Sequence, residues 1–441
     1  MSKPVPIVAI VGRANVGKSS LFNAILGKRE AITAKEAGTT RDRVTAKASY
    51  DGKDFWLVDT AGLKKADDDF EITVQDQIVE AAGAADLIWV VVDAGSILLE
   101  EDRRVAKLAL KTKKPVILVV NKIDTNRKSD PALWLKLGIK DTRATSSTQK
   151  KGLTELLQAT SAKLPPARLK EASDRIRIAI LGRPNVGKSA LFNSLSKKQQ
   201  AIVSSRAGTT RDVNRNVVRY HERELELLDT AGIRRSGKVE RGAEQFSILR
   251  SLSAIEEADI CLLVMEHAEL SVQLDQKIGN LAKEAGKGLV LVINKWDTAE
   301  ATTSYRENLL AQAVRDFAFT PWAPLVFVSA LTGQSVVKIF DLILQISEAR
   351  SGRVKTTELN RWLQAAAGSH PPAGLKGRHP KLNYIVQEDG TSPPSFKLFG
   401  SNTKFLHWSY KRYLERSFRQ LWPFTGTPIK FWYIDKLDDR H

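Results

Sequence analysis

Two octads in the chain carry the residue types that hold a phosphate chain. They are Gly12-Arg13-Ala14-Asn15-Val16-Gly17-Lys18-Ser19 and Gly182-Arg183-Pro184-Asn185-Val186-Gly187-Lys188-Ser189. A Gly-x-x-x-x-Gly-Lys-Ser loop between a strand and a helix lets backbone amides surround phosphates at the helix N-terminus, where the dipole also favours negative charge. Lys18 and Lys188 are expected to bridge the β- and γ-phosphates of a nucleotide, and the hydroxyls of Ser19 and Ser189 to ligate Mg2+. Ser20 is counted with the first phosphate site. Asp59-Thr60-Ala61-Gly62 and Asp229-Thr230-Ala231-Gly232 follow apolar runs, so Asp59 and Asp229 fall at strand tips able to hold the metal through water. A third motif reads the base: Asn121-Lys122-Ile123-Asp124 and Asn294-Lys295-Trp296-Asp297. The carboxylate of Asp124 or Asp297 can accept from the N1–H and N2–H2 edge of guanine. Adenine has no such donor pair and would leave a buried carboxylate unpaired. Asn121 and Asn294, with the stems of Lys122 and Lys295, would hold the ring.

These motifs are a repeat. The glycine-lysine loop, the segment Gly38-Thr39-Thr40-Arg41-Asp42 (again as Gly208-Thr209-Thr210-Arg211-Asp212) and the Asp-Thr-Ala-Gly segment all recur at an offset of 170 residues; the Asn-Lys-x-Asp segment recurs at 173. Two copies of one domain therefore lie in tandem. Each copy alternates short apolar runs with helical stretches: Ile7–Val11, Phe55–Val58, Leu87–Val92 and Val116–Val120, then Ile176–Leu181, Leu225–Leu228, Ile260–Val264 and Leu289–Ile293. Runs of four to eight residues with helical spacers indicate buried parallel strands in a doubly wound, mostly parallel α/β sheet. The expected organisation is a first domain over 1–162, a proline-containing linker over 163–174, a second domain over 175–351 and a terminal domain over 352–441. In the last, a helix opening at Thr356 or Thr357 with Leu359, Trp362, Leu363 and Ala366 on one face is stopped by Pro371-Pro372. Strands at Leu382–Val386 and Ser395–Phe399, a helix across Phe405–Leu421 and a strand at Ile429–Ile434 complete an α-β-β-α-β order.

Composition narrows the class. The 441 residues carry a net charge of +18, with 42% hydrophobic and 27% charged residues, which suits globular protein and excludes wholesale disorder. A single cysteine, Cys261, excludes an intrachain disulfide and a cysteine-cluster zinc site and fits a reducing compartment. Cys261 itself reads as a small apolar strand residue. No apolar stretch approaches the roughly 18–20 residues that span a bilayer, and none has the form of a signal peptide, so a soluble, cytoplasmic protein with no membrane role is expected. The six histidines show no metal-ligand spacing. The charge is uneven: +5 over 1–162, +1 over 163–174, +4 over 175–351 and +8 over 352–441. A basic terminal domain rich in tryptophan and tyrosine points to nucleic acid, with a solubilising surface as the alternative.

The motif order resembles that of the translation-factor-related GTPases. Two such domains and a basic terminal domain resemble the EngA/Der family of ribosome-assembly GTPases. The resemblance covers essentially the whole chain, including Pro393-Pro394-Ser395-Phe396, Ser409-Tyr410-Lys411-Arg412-Tyr413-Leu414-Glu415 and Gly426-Thr427-Pro428-Ile429. It implies two P-loop GTPase domains followed by a small KH-like α/β domain. It further implies hydrolysis of GTP to GDP and phosphate, and a partner in the large ribosomal subunit and its RNA. The expected role is a nucleotide-gated assembly factor, acting as a monomer. The second threonine of Gly-Thr-Thr-Arg-Asp matches the family's switch-one Mg2+ ligand, which names Thr40 and Thr210; Thr39 and Thr209 are their neighbours and competitors. With Lys18, Lys188, Gly62 and Gly232 these threonines make the expected catalytic set. Asn15 and Asn185 resemble the asparagine that coordinates K+ in cation-activated relatives, where K+ stands in for an arginine finger.

Several positions depart from the pattern. Ras-type enzymes orient the attacking water with a glutamine immediately after Asp-x-x-Gly. Here Leu63 and Ile233 stand in that place and can neither donate nor accept, so low intrinsic turnover and K+ activation are expected. A GTP-sensing RNA-binding module with little hydrolysis is the alternative. The following residues turn acidic in the first copy (Lys64-Lys65-Ala66-Asp67-Asp68-Asp69) and are basic in the second (Arg234-Arg235-Ser236-Gly237-Lys238). That contrast suggests different surfaces as targets, RNA for the basic one. Asp42 and Asp212 read as salt-bridge residues rather than catalytic ones. Ala14 replaces the proline found at Pro184, Glu266 stands where the first copy has Asp93, and the guanine-supporting Ser329-Ala330 has Ser146-Ser147 as its best match. In the terminal domain Gly374-Leu375-Lys376-Gly377 reads as a chance GxxG. Lys411, Arg412, Arg416 and Arg419 share a helix face suited to phosphates, whereas Trp408, Tyr410 and Tyr413 read as core.

Overall fold

The computed structural model describes residues 5–27, 45–59, 85–125, 131–164, 175–197, 214–229, 243–300, 302–372 and 379–435. The chain divides into two compact units: Lys3–Lys170 with Lys238–Glu256, and Glu171–Gly237 with Glu257–His441 and Met1–Ser2.

The first unit contains β1 (Ile7–Val11), α1 (Lys18–Leu26), β2 (Thr45–Tyr50), β3 (Lys53–Asp59), β4 (Leu87–Asp93), α2 (Glu100–Lys111), β5 (Val116–Asn121), α3 (Pro131–Leu135), β6 (Thr142–Ala144) and α4 (Leu153–Lys163). Among the described residues its sheet is six-stranded, in the order β2-β3-β1-β4-β5-β6. Only the β2–β3 hairpin is antiparallel; the other pairs are parallel. Every residue of β1 and β5 is buried, as near-continuous apolar runs in a sheet covered on both faces require. Each buried valine, leucine or isoleucine contributes about 1.5–3 kcal/mol through removal from water.

The second copy repeats this plan with β7 (Ile176–Leu181), α5 (Lys188–Lys197), β8 (Asn214–Tyr220), β9 (Arg223–Asp229), α6 (Ala243–Glu257), β10 (Ile260–Glu266), α7 (Gln273–Glu284), β11 (Gly288–Asn294), α8 (Thr303–Asp316), β12 (Leu325–Phe327) and α9 (Val337–Ser351). The greater part of α6 groups with the first unit. Strand order is β12-β11-β10-β7-β9-β8, the same sequence of neighbours as in the first copy. Cys261 is fully buried in β10, as its apolar surroundings predict.

The expected strands therefore form, and the structure adds β2, β6, β8 and β12. The edge strand β2 reads Thr-Ala-Lys-Ala-Ser-Tyr with only Thr45 and Ala48 buried, too polar to register as a run. Its turn, Asp51-Gly52 with φ of 51° and 70°, is the left-handed pair a tight hairpin requires.

The terminal domain follows as α10 (Thr356–Ser369), β13 (Lys381–Gln387), β14 (Ser395–Ser401), α11 (Trp408–Leu421) and β15 (Lys430–Asp435), the expected α-β-β-α-β order. β13 and β14 are antiparallel, β14 and β15 parallel. Leu359, Trp362, Leu363 and Ala366 all face its core, which also takes Phe396, Leu414 and Phe418. It packs closely on the second six-stranded α/β domain. Gly426 donates from its amide to Trp322 O (2.7 Å) and accepts from Leu289 N (2.8 Å) at the start of β11. With φ 66°, and with Ile346 Cγ1 2.2 Å from where a Cβ would stand, position 426 admits only glycine. The guanidinium of Arg350, at the end of α9, is buried and donates to Thr427 Oγ1, Gly286 O and Ser392 Oγ at 3.0, 3.1 and 2.7 Å.

Candidate guanine-nucleotide sites

Each phosphate loop joins a buried strand to a helix, β1 to α1 and β7 to α5. Gly17, at φ 92°, caps α1, and a Cβ there would come 2.4 Å from Asn121 Nδ2; Gly187 is the same against Asn294 at 2.3 Å. The base-reading motif is thus pressed directly onto the phosphate loop, and glycine is what permits the approach. Asn121 Nδ2 donates to Val16 O (3.1 Å) and Asn294 Nδ2 to Val186 O (2.9 Å).

Lys18 Nζ donates to Gly12 O and Arg13 O, each at 2.6 Å, and Lys188 Nζ to Arg183 O at 2.6 Å. Ser19 Oγ donates to Asp59 Oδ2 at 2.5 Å, although 40 residues separate them, so the hydroxyl and carboxylate expected to share Mg2+ converge. An all-oxygen donor pair suits that hard cation. Ser189 opens α5 and is exposed, and Asp229 closes β9. Asn15 and Asn185 are exposed and left-handed, with φ of 63° and 65°. Ser20 and Ala14 are exposed beside them, Pro184 is half-buried, and Val16 and Val186 anchor the loops in the core. Gly12 and Gly182 have φ of 154° and 137°. Thr40, Thr60, Ala61, Gly62, Leu63, Thr210, Thr230, Ala231, Gly232 and Ile233 lie outside the described residues. So do Thr39, Thr209, Asp42, Asp212, the Arg234-Arg235 segment, Gly374-Leu375-Lys376-Gly377 and most of the linker.

Asp124 follows in the same turn, and its Oδ1 is buried with no hydrogen-bond partner among the described residues. An orphaned carboxylate oxygen beside a phosphate loop fits the donor edge of guanine. Asp297 is exposed in the corresponding turn. The neighbouring lysines are fixed. Lys122 Nζ donates to Asp93 Oδ2 (2.8 Å) and Asn15 O (2.7 Å), and Lys295 Nζ to Glu266 Oε2 (2.9 Å). Glu266 thus replaces Asp93 with the ion pair kept. Burial pushes the Asp93 carboxyl up, but the Lys122 hydrogen bond, the Gly95 amide and the charges of Lys122 and Arg13 hold it below its ordinary value.

The serine elements correspond in geometry. Ala330 N donates to Asn294 Oδ1 (2.9 Å), and Ser147 N to Asn121 Oδ1 (3.2 Å). Ser329 Oγ accepts from Thr332 N and Ser146 Oγ from Gln149 N, at 3.1 and 3.0 Å. Ser147 adds its hydroxyl to Asn121 Oδ1 (2.8 Å) and Thr145 another (3.2 Å), contacts the second copy lacks.

Sequence reasoning missed what holds the loop arginines. Arg13 Nε donates to the buried Asp102 of α2 at 3.2 Å, and Arg13 Nη2 to Ser96 Oγ at 2.5 Å. In the second copy Arg183 pairs with Glu269 through both its carboxylate and its carbonyl, and stands 3.8 Å from the fully buried Asp275. The signal was available: Asp102 and Asp275 share the 173-residue offset, as do Ser96 and Glu269. Burial pushes the Asp275 carboxyl up to about 7, against the pull of Arg183 and Lys188 and of the Val272 and Arg183 amides.

The terminal helix corrects two expectations, at Arg419 and at Trp408. Arg412 and Arg416 are exposed, but Arg419 is turned inward, donating to Glu415 Oε1 (3.0 Å), Pro423 O (3.0 Å) and Thr427 O (3.3 Å), and is not free for phosphate. Lys411 lies 4.8 Å over Tyr433 and Arg412 4.7 Å over Trp408. Tyr410 is buried as expected and Tyr413 half-buried, whereas Trp408 is 48% exposed rather than core. No helix among the described residues is long and apolar enough to cross a membrane.

A family model described as "50S ribosome-binding GTPase" matches residues 7–122 and 177–295, and one described as the KH-domain-like C-terminal domain of EngA bacterial GTPase enzymes matches 353–433. GTPase Der of Gemmatimonas aurantiaca is 39% identical over 430 residues, covering 97% of this chain and 98% of its own. GTPase Der of Chloroflexus aggregans is 41% identical over 439 residues, covering 97% of each chain. Among solved structures, Era of Aquifex aeolicus bound to GDP and AlF4− is 21% identical with a TM-score of 0.31, over 60% of this chain and 96% of that one. Full-length identity of this order, with both GTPase segments and the KH-like segment matched in place, means that the chain belongs to the Der (EngA) family of GTPases.

Proposed function

We propose that this protein hydrolyses GTP to GDP and phosphate and that the nucleotide state gates its binding to the large ribosomal subunit during assembly. The observation that carries the reading is the junction made in each copy by Asn121 with Val16 and by Asn294 with Val186, which joins a phosphate loop to a base-reading motif. The description of the matching family model as a 50S ribosome-binding GTPase supports the choice of subunit. The domain limits are taken as 1–162, 175–351 and 352–441, joined by the linker 163–174, with the protein acting as a cytoplasmic monomer.

The chain's own groups divide the work. Backbone amides of the loop and of the first turn of α1 or α5 receive the phosphates. Lys18 and Lys188 transfer their ammonium hydrogen bonds from loop carbonyls to β- and γ-phosphate oxygens. Asp124 and Asp297 accept from guanine, while Asn121, Asn294, Ser146, Ser329 and Ala330 keep those loops in register. Ser19, Thr40 and Asp59, or Ser189, Thr210 and Asp229, would hold Mg2+, and Asn15 or Asn185 would hold K+; such cations would supply positive charge against the charge developing on the phosphates. With Leu63 and Ile233 in place of a water-orienting glutamine, turnover is slow without such charge. Release of Thr40 and Thr210 as the γ-phosphate leaves would give the order–disorder switch that a binding partner reads.

Co-sedimentation with large ribosomal subunits in GDP, GTP and a non-hydrolysable GTP analogue tests the gate. Phosphate release in K+ and Na+ at constant ionic strength tests the chemistry. Binding in the analogue but not in GDP, with hydrolysis faster in K+, is expected. Equal rates in Na+ remove the K+ assignment. Equal binding in every nucleotide state favours the second reading, a GTP-sensing RNA-binding module with little hydrolysis, for which Leu63 and Ile233 speak.

A further inference from the structure

The two base-reading turns are built differently. In the second copy Trp296, the variable residue of Asn-Lys-x-Asp, opens a 3-10 turn over Trp296–Thr298, is half-buried, and lies against three rings from elsewhere in the fold. Its ring centroid lies 4.5 Å from that of Phe327 at the end of β12. It is 6.2 Å from and nearly parallel to Tyr305 of α8, and 6.1 Å from and edge-on to His267 just after β10. His267 is buried, and both its nitrogens are engaged. Nδ1 lies 2.9 Å from the Tyr305 hydroxyl and Nε2 2.9 Å from Thr298 Oγ1, which itself donates to Lys295 O at 2.9 Å. The backbone bond of this residue is common to both copies, Trp296 N donating to Val328 O at 3.1 Å and Ile123 N to Thr145 O at 3.2 Å, so the difference lies in the side chains. In the first copy Ala94, Ile123 and Ala144 stand where His267, Trp296 and Phe327 stand here, and Thr125 Oγ1 makes the corresponding bond to Lys122 O with no ring nitrogen at Ala94 to pair with it.

A bond to guanine through Asp297 requires that the turn from Lys295 to Thr298 already has the shape in which the carboxylate meets N1–H and N2–H2. A turn that must be ordered on binding loses affinity, and a turn held by packed rings and paired hydrogen bonds does not. We infer that His267, Trp296 and Tyr305 are positioning residues that keep the second guanine-reading turn preorganised, giving that site slow nucleotide release and sharpened guanine selectivity. The inference rests on the reading of Asp297 as the guanine acceptor.

The test uses the full chain carrying Asp124→Asn, which removes guanine recognition from the first site, and GDP labelled on its ribose with a fluorescent anthraniloyl group. Release is followed on chase with unlabelled GDP, and selectivity by competition with GDP against IDP, whose base lacks the N2 amine. Trp296→Ile, which installs the first copy's residue, is expected to speed release about tenfold and to shrink the GDP-over-IDP preference by a similar factor. Tyr305→Phe, which deletes only the hydroxyl on His267, is expected to do both by about threefold. Release within twofold of the parent in both variants overturns the inference. Faster release with an unchanged GDP-to-IDP ratio overturns it too, because it marks general loosening. If Trp296→Ile does not fold, Tyr305→Phe decides alone. A parent that binds no labelled GDP, or that binds it equally well with Asp297→Asn, refutes the guanine-site reading itself.

Discussion

Arg13 and Asp102 are joined by a hydrogen bond, Nε to Oδ1 at 3.2 Å, that ties the first phosphate loop to the opening turn of α2, 89 residues further on. Asp102 is 1% exposed, and its second oxygen accepts from Leu99 N at 3.1 Å, so one carboxylate both caps a helix and holds the loop. In the second copy it is Glu269 that pairs with Arg183, while Asp275 stands 3.8 Å from that guanidinium.

Removing that carboxylate leaves Arg13 with Ser96 alone among the described residues and uncaps α2. Asp102→Ala is expected to lower the unfolding free energy by about 2–4 kcal/mol and to weaken GDP binding at the first site about tenfold through the loosened loop. Asp102→Asn, which keeps acceptor capacity, is expected to cost about 1 kcal/mol. Denaturant titration with and without GDP reads both.

Asp275 makes a pH prediction with a definite sign. Its carboxyl lies at about 7 in the folded protein against an ordinary 3.8. Between those values the native state holds a proton that the unfolded state has lost, so stability falls as pH rises across that window. Asp275→Asn stays neutral and should flatten the decline in melting temperature between pH 5 and pH 8. Glu269→Ala frees Arg183 to approach Asp275, which lowers that carboxyl and flattens the decline as well. A wild-type slope retained in both variants would assign the pH dependence to other groups.

Arg350 anchors the terminal domain. Burial lowers its guanidinium to about 10, with Asp259 and Cys261 opposing, so it keeps its charge at any ordinary pH. Arg350→Met retains bulk but abandons Thr427, Gly286 and Ser392, and is expected to destabilise the docked domain by about 3 kcal/mol. The measurement is protease cleavage between α9 and α10, near Gly352, which should accelerate in the variant while the midpoint of thermal unfolding falls.

On α11, exposure separates two arginines from a third. Arg412→Glu with Arg416→Glu is expected to weaken RNA binding and to reduce the slope of log affinity against log salt by about 2. The melting temperature should hardly move. Arg419→Ala should do the reverse, lowering stability through the lost bonds to Thr427 and Pro423 while leaving the salt slope in place. Filter binding of ribosomal RNA over a salt series, beside thermal melts, distinguishes the two.

The sequence by itself determined the tandem repeat, the buried parallel strands, the order of the terminal domain and the motifs proposed to meet phosphate and guanine. Each of these is written locally, in glycine spacing, in apolar runs such as Ile7–Val11, or in a turn motif that follows a strand. Edge strands were less legible: β2 and β8 are partly solvated and read as polar chain, and three-residue strands such as β6 carry too little pattern to register. Tertiary structure alone decided what each long side chain meets. Helical spacing places Arg419 beside Arg412 and Arg416, but the carbonyls that capture it come from Pro423 and Thr427 in the following loop. Asp102 reads as one acid among three in the first turn of α2, and only folding brings it under Arg13. Arg183 likewise meets Glu269, 86 residues further on, only through the fold. Such pairings depend on distances across the fold, which residue spacing along the chain does not encode.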